Sequence, residues 1–463
     1  MKKSVGLILS LALAAVTALT ALTPVYAQSP VTITIATVNN GDMVVMQGFT
    51  DKFQAAYPNI KLKWVVLPEN ELRTRVTTDV ASGTGSFDVV TVGAYEVPTW
   101  AKNGWIVSVD GLMTANPKNV QPNYDKADLL KSVSDGISYK GELYAVPFYA
   151  ESSMTFYNKA MFKAAGLTMP DEPTWDQIRE FACKLNQPDK KQYGIALRGL
   201  PGWGEALAVE TTVVNTFGGK WFDANWNPQL NSKEWHDAMT FYVNLLHDCG
   251  VPGAANNGYT ESITAMAQGQ AAIWVDASVS AGALSDPKQS KISNDIGFAM
   301  APYETVKKGY HWLWSWNLAI PKTSANQSAA LQFITWATSK DYIQLVGTTN
   351  GWGTVPPGTR TSTYALPEYQ KAAAAFAALT LKSIQTADPT DATKDKVPYV
   401  GVQFVGIPEF EGFGTDVSQQ LSAAVAGKIT VDDALAKSQD IVTKAMTDAG
   451  YIGAGAATPA ATP

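Results

Sequence analysis

Alternating apolar and polar positions near the start of the chain predict a strand–helix–strand unit. Val31–Val38 (VTITIATV) and Ile60–Val66 alternate with period two, which is typical of β-strands. Met43–Tyr57 carries apolar residues at helical spacing, and Glu69–Ala81 is a polar helical stretch. Phe87–Val92 is mostly apolar, as buried parallel strands are. This order predicts one half of a doubly wound α/β sheet.

The same kind of pattern returns further along the chain and predicts a second α/β unit. Short buried strands are expected at Tyr193–Leu197, Ala271–Val275, Ile296–Met300 and Asn317–Ile320. Helices are expected at Ser232–His247, Ser328–Ala337, Lys371–Leu379 and Asp416–Ala426. No Pro/Ser-rich linker and no fixed-period repeat divides the chain. Two lobes without a single linker imply several crossings between them, which builds a cleft with a hinge.

The first 27 residues have the features of a secretory signal peptide. Lys2 and Lys3 are followed by an apolar stretch, and Val25 and Ala27 are small residues at the −3 and −1 positions of a cleavage site. A transmembrane anchor is the alternative, but no stop-transfer charges follow. No cysteine lies near the cleavage site, so we expect an exported, periplasmic protein without a lipid anchor.

Composition excludes several classes of partner and of chemistry. Lys and Arg number 35 against 41 Asp and Glu, giving a net charge of −6. A nucleic-acid binder or an anionic-membrane binder would show a basic surplus. Only three histidines are present among 463 residues, which leaves little for a His-based metal site or a Ser–His–Asp triad. We therefore expect no metal, no cofactor and no nucleic-acid partner.

The two cysteines, Cys183 and Cys249, each lie at or near a predicted helix end. In an oxidising compartment such a pair can form a disulfide. Two buried free thiols in neighbouring helices are the alternative, because cysteine is among the most buried residues. Either arrangement would be structural.

Aromatic, amide and carboxylate residues recur in loops at the ends of predicted strands and in an extended segment that leaves one lobe for the other. Segments of this kind are Asn39–Asp42, Gly93–Pro98, Val146–Ser153, Arg198–Glu205, Trp312–Asn317 and Asn350–Arg360, and Asp276 ends a strand. Ligands of open α/β sheets bind at the carboxyl ends of strands. Amides and carboxylates bond hydroxyl groups, and aromatic faces cover the C–H side of a carbon chain. The pattern predicts a neutral polyhydroxylated ligand.

Each of these residues also has a structural interpretation that leaves the ligand out. Asp42 could cap the helix that starts at Met43. At least one tryptophan of Trp312–Asn317 could belong to the core. Arg198 and Arg360 could be members of structural ion pairs. A phosphate or carboxylate ligand would call for more than the five arginines of the chain.

Several spaced segments resemble the extracellular solute-binding proteins (family 1) of ABC importers, and within them the sorbitol/mannitol-binding branch. The resemblance covers essentially the whole mature chain. The segments are NNGDMVVMQ (39–47), LRTRVTTDVASGTGSFDVVTVGAYEVPTWAKNGW (72–105), LYAVPFYAESSMTFYNK (143–159), NGWGTVPPGTR (350–360) and FVGIPEFEGFG (404–414). The resemblance implies the type II periplasmic binding protein fold, with two doubly wound α/β lobes joined by a multi-crossing hinge. It also implies a monomer that delivers a polyol to an ABC permease and carries no catalytic residue.

The resemblance further implies lobe boundaries and ligand contacts. The N-terminal lobe is expected at 28–147 with 301–355, the C-terminal lobe at 148–300 with 356–452, and a disordered tail at 453–463. The implied ligand contacts are Asn39, Asn40, Asp42, Tyr95, Glu96, Tyr149, Glu151, Arg198, Trp203, Glu205, Asp276, Trp316, Asn317 and Trp352.

A binding protein that serves a sensor kinase or chemoreceptor instead of a permease is one alternative from the sequence. Two further alternatives concern the ligand and the chemistry. One is a binding protein for an oligosaccharide or monosaccharide. The other is an exported glycosidase, which needs two carboxyl groups at a fixed separation. The strand pattern lacks the eightfold β/α repetition of a barrel hydrolase, which argues against the enzyme.

Overall fold

The computed structural model describes residues 30–453. The predicted signal peptide and, apart from Gly453, the predicted disordered tail lie outside the described residues. The strands are β1 Val31–Val38, β2 Ile60–Leu67, β3 Val89–Gly93, β4 Ser138–Tyr139, β5 Glu142–Leu143, β6 Ala145–Glu151, β7 Ser153–Asn158, β8 Tyr193–Ala196, β9 Ala271–Ala277, β10 Ile296–Met300 and β11 Trp314–Ala319.

Five of these strands form the first sheet, in the order β2-β1-β3-β11-β6. Strand β1 pairs in parallel with β2 and β3, whereas β11 runs antiparallel to both β3 and β6. Every residue of β3, β6 and β11 is buried. Burial on both faces explains why β3 reads as a continuous apolar run rather than as an alternating one.

The second sheet has four strands in the order β10-β7-β9-β8. Strands β8 and β9 are parallel, and β7 is antiparallel to β9 and β10. Strands β4 and β5 form a separate two-stranded hairpin. The two mixed sheets with their helices confirm the predicted α/β class.

Helices connect and cover the strands. Those up to the first crossing are α1 Gly41–Gly48, α2 Thr50–Ala56, α3 Glu69–Ser82, α4 Glu96–Lys102, α5 Val109–Ala115 and α6 Lys131–Gly136. Those around the second sheet are α7 Lys159–Ala164, α8 Trp175–Leu185, α9 Ala206–Thr216, α10 Lys233–Cys249, α11 Tyr259–Ala267 and α12 Ser280–Ser285. The remainder are α13 Gln327–Ala337, α14 Lys340–Asn350, α15 Thr361–Ala365, α16 Pro367–Ala372, α17 Ala377–Thr386, α18 Phe410–Val425 and α19 Val431–Asp448.

The chain passes from the first sheet to the second at Ser152. Strand β6 stays paired with β11 as far as Glu151, four residues beyond the lobe boundary expected at 147. The Ser152 amide donates to the Ser278 hydroxyl at 3.1 Å, and the Ser278 amide donates to the Ser152 carbonyl at 2.7 Å. The return runs through residues 301–313, between β10 and β11. The two sheets are thus linked by more than one segment.

A disulfide joins Cys183 near the end of α8 to Cys249 at the end of α10, with their Cα atoms 4.9 Å apart. Of the two arrangements open from the sequence, the structure has the bridge. It closes a loop of 66 residues within the helices that cover the second sheet. Within residues 30–453, no helix is long and apolar enough to cross a membrane.

Candidate functional site

A cavity lies where the carboxyl ends of strands from both sheets face each other. Its empty volume is about 470 Å³, counting the part that is open to solvent. Its lining is Asn40, Glu69, Arg73, Tyr149, Glu151, Arg198, Trp203, Gly204, Ala208, Tyr259, Ala277, Trp312, Trp314, Trp316 and Gln403. We call this space the inner cavity.

Four tryptophans form the aromatic wall of the inner cavity. Trp312, Trp314 and Trp316 alternate along and just before β11, so the period of two places all three on one face of the strand. Trp203 comes from the loop before α9, and its ring centroid lies 5.9 Å from that of Trp314. Gly93 allows this packing, because a Cβ there would come within 2.1 Å of the Trp314 ring.

Arg73 lies in the middle of the tryptophans and is held by carboxylates. Its guanidinium carbon is 4.3, 4.8 and 4.6 Å from the ring centroids of Trp203, Trp314 and Trp316. It donates at 2.7 Å to Glu69, one turn earlier on α3, and at 2.7 Å to Glu96 on α4. Burial raises the pKa of Glu96, and Arg73 opposes that shift.

A second buried arginine, Arg198, is clamped at the opposite side of the inner cavity. It follows β8 and donates to both carboxylate oxygens of Asp276 on the neighbouring β9, at 2.8 and 2.6 Å. A third contact of 3.4 Å reaches Glu205. Burial raises the pKa of Glu205 to about 7, with Glu69 adding to the shift and Arg198 opposing it. Paired, fixed donors of this kind suit hydroxyl oxygens of a ligand.

The end of β6 contributes Tyr149 and Glu151. Asn40, which follows β1, donates to the Tyr149 hydroxyl at 2.9 Å. Glu151 is only 6% exposed, and its carboxyl makes no hydrogen bond to any residue that the structure describes. Burial raises the pKa of Glu151 well above its ordinary value, against the attraction of Arg198. Glu151 thus presents an unpartnered carboxyl to the inner cavity.

A larger space adjoins the inner cavity and shares Asn40, Tyr149 and Tyr259 with it. This outer chamber has an empty volume of about 1,000 Å³. Asn39 and Asp42 line it, together with residues of α11, α12 and the segment 353–357. Asn40, and not Asp42, is at the cap position of α1. The Asn40 side chain makes no capping hydrogen bond. Burial raises the pKa of Asp42 to about 7.

The structure divides the predicted contacts into groups. Asn40, Tyr149, Glu151, Arg198, Trp203 and Trp316 line the inner cavity, and Asn39 and Asp42 line the outer chamber. Glu96, Glu205 and Asp276 lie behind the lining and hold its two arginines. Tyr95 packs on Trp203 with ring centroids 4.9 Å apart, and its hydroxyl donates to the Ile407 carbonyl at 2.6 Å.

Two predicted contacts are placed away from the inner cavity. Asn317 is fully buried in β11, where its amide donates to the Val92 carbonyl at 3.1 Å and so ties two strands together. Trp352 packs over Gly347 of α14, where an added Cβ would come within 2.4 Å of the indole. It lines neither space. Arg360 is a structural ion-pair member, fully buried and bonded to Asp128 at 3.2 Å.

Sequence reasoning missed Glu69, Arg73, Tyr259 and Gln403. Glu69 and Arg73 belong to α3, whose polar composition gives no sign that one arginine is 6% exposed. Their spacing of four residues, which suits an ion pair on one helix face, was the available signal. Gln403 comes from the irregular segment between α17 and α18, and its amide donates to the Leu313 carbonyl at 2.9 Å.

Residues 39–344 match the family model of the bacterial extracellular solute-binding proteins. This chain belongs to that family. A mannitol-binding protein of Pseudomonas aeruginosa is 49% identical over 428 residues, which are 92% of this chain and 96% of that protein. Membership confirms a ligand carrier and sets the glycosidase alternative aside.

Solved structures show the same fold for this solute-binding protein. A crystal structure of an ABC transporter solute-binding protein from Agrobacterium vitis S4 with bound D-mannitol has 51% identity and a TM-score of 0.88, covering 91% of this chain and 100% of that one. One from Agrobacterium radiobacter K84 in complex with ribitol has 25% identity and a TM-score of 0.77, covering 90% and 99%. The predicted type II periplasmic binding protein fold is confirmed.

Proposed function

We propose that this protein is the substrate-binding component of an ABC importer and captures a linear polyol such as D-mannitol in the inner cavity. A mannitol-binding relative at 49% identity and a mannitol-bound structure at 51% identity support this substrate class. Delivery to a membrane permease, a periplasmic location after signal-peptide removal and a monomeric state are parts of the same proposal.

The observation that carries the proposal is the make-up of the inner cavity. Two arginines face five carboxyl groups there or directly behind: Glu69, Glu96, Glu151, Glu205 and Asp276. Because both arginines are already paired, an anionic ligand would meet surplus negative charge. A polyol offers hydroxyls to the amides and carboxylates and C–H groups to the tryptophans.

Capture would proceed by closure of one lobe on the other. Contacts already join elements around the first sheet to elements around the second: Arg73 lies on Trp203, Tyr95 bonds Ile407, and Asn70 donates to the Pro201 carbonyl at 3.1 Å. The ligand would add contacts to both sides. A ligand shifts the population toward the closed state only by the extra free energy that it gains there.

Thermal melting against a ligand panel tests the proposal. D-mannitol, D-sorbitol and D-arabitol should raise the melting temperature, because a ligand that binds only the folded state stabilises it. Maltose, glucose and aldonates serve as comparison ligands of other classes. If only a disaccharide or a monosaccharide raises the melting temperature, the polyol assignment is wrong.

A further inference from the structure

Within residues 30–453, Glu151 is the carboxyl side chain of the inner cavity that is not bonded to a group of opposite charge. Arg73 is bonded to Glu69 and Glu96, and Arg198 to Asp276 and Glu205. Glu151 is only 6% exposed, and it borders the cavity. A buried carboxylate without a hydrogen-bonded counter-charge is strongly disfavoured. A ligand with a positive charge would supply the counter-charge that no residue bonded to Glu151 provides.

The charged groups that act on the pKa of Glu151 come from several elements. They are Arg198 after β8, Asp276 on β9, Glu69 on α3 and Asp42 on α1. Tyr149 on the same strand and Tyr259 on α11 complete the surroundings. Arg198 is the only cation of this set, and Asp276 holds it with two hydrogen bonds. Both arginines that line the inner cavity are thus bonded to other carboxylates, and neither is bonded to Glu151.

We propose that the inner cavity also binds amino-polyols, hexitols with one hydroxyl replaced by a protonated amino group, with the ammonium placed on the carboxylate of Glu151. This inference rests on the proposed polyol function and extends its substrate class from neutral to monocationic ligands. The ammonium is one heavy atom in size, as the hydroxyl is, and donates three hydrogen bonds.

The proton balance of this binding step differs from that of a neutral polyol. Burial favours the protonated form of Glu151 in the ligand-free protein. The amino-polyol enters as an ammonium ion, any proton that Glu151 carries passes to the solvent, and the ammonium–carboxylate pair forms. D-mannitol can accept a hydrogen bond from the protonated carboxyl and requires no such release.

Calorimetry with D-mannitol and 1-amino-1-deoxy-D-mannitol at pH 6, in two buffers of different ionisation enthalpy, tests the proposal. The wild-type protein should bind both ligands and release more protons with the amino-polyol than with D-mannitol. Glu151→Gln should lower the affinity ratio of amino-polyol to mannitol by roughly tenfold or more, the weight of one charge-assisted hydrogen bond.

Glu210→Gln is the matched control, because Glu210 on α9 is also a fully buried acid but does not line the cavity. It should leave the affinity ratio unchanged. Mannitol binding without amino-polyol binding, or an unchanged ratio in Glu151→Gln, overturns the inference while the polyol function stands. Binding of neither ligand overturns the polyol function itself. Should Glu151→Gln fail to fold, the wild-type affinities decide, and an amino-polyol affinity tenfold or more below that for D-mannitol contradicts the proposal.

Discussion

At the scale of single residues, Trp203 is a site residue that the sequence predicted, and Arg73 is one that it did not predict. Trp203, which lies between Gly202 and Gly204, is a ligand contact that the family resemblance implies, and it lines the inner cavity. Arg73 was not predicted, because its environment is built by Glu96, Trp314 and Trp316, which are distant in sequence. The residue types of a loop can be read from the sequence of that loop. The burial of an arginine on a helix depends on residues that are distant in sequence.

Trp203→Ala should weaken mannitol binding by about 1–3 kcal/mol. Trp203 is only 4% exposed and packs on Tyr95 and Phe410, so the same change should also lower the free energy of unfolding by about 3–5 kcal/mol. Trp352→Ala is the control, since Trp352 lines neither space. Calorimetry and melts of the ligand-free variants measure the two effects, and an equal loss of affinity in both variants would contradict the site.

Glu210 predicts a pH dependence of stability. Burial raises its pKa to about 8 from its ordinary value of 4.5, and neither carboxyl oxygen has a hydrogen-bond partner within the described part of the chain. The folded state therefore binds this proton more tightly than the unfolded state. The proton on Glu210 stabilises the folded state fully below about pH 4.5, and this stabilisation is lost as the pH rises to about 8.

Glu210→Gln should remove this part of the pH dependence. Near pH 9 the variant should exceed the wild type in unfolding free energy by roughly 1–3 kcal/mol, because it has no charge to bury. Urea unfolding between pH 5 and pH 9 measures the difference. Parallel curves for the two proteins would show that Glu210 does not titrate as described.

At the scale of elements, most strands were predictable, but β6 and β7 were not predicted, and β11 begins at Trp314, three residues before its predicted start. Helix breaks were not predictable either. The alternation of Val31–Val38 marks β1 to the residue. The single helix predicted at Met43–Tyr57 divides at Phe49 into α1 and α2, where the Phe49 amide bonds the Met46 carbonyl at 3.1 Å. The Ala-rich stretch Lys371–Leu379 likewise breaks between α16 and α17. Apolar spacing identifies a buried face but does not locate such local turns.

The disulfide between α8 and α10 should stabilise the protein without serving the ligand. Replacing Cys183 and Cys249 by serine should lower the free energy of unfolding by about 2–4 kcal/mol, because the unfolded chain loses the constraint of a 66-residue loop. Neither cysteine lines the inner cavity, so mannitol affinity should not change. Denaturation with and without reductant, together with calorimetry, checks both statements. A large affinity loss would mean that the bridge positions the site.

At the scale of the whole molecule, the multi-crossing connection follows from the sequence order of the strands. Strands β1, β2, β3 and β6 precede β7 to β10 in the chain, and β11 returns to the first sheet. The sequence, which lacks a single linker, predicts this return. The contacts that close the cleft, such as Tyr95 with Ile407 over 312 residues, depend on the assembled fold and have no local signal.

Small-angle X-ray scattering with and without saturating D-mannitol tests the central claim, capture of a polyol by lobe closure, most directly. The structure already holds Arg73 against Trp203 and Tyr95 against Ile407, so its calculated scattering should match the mannitol-loaded protein. The ligand-free protein should be more expanded and should become compact on adding mannitol. An unchanged radius of gyration at saturating mannitol would contradict the account.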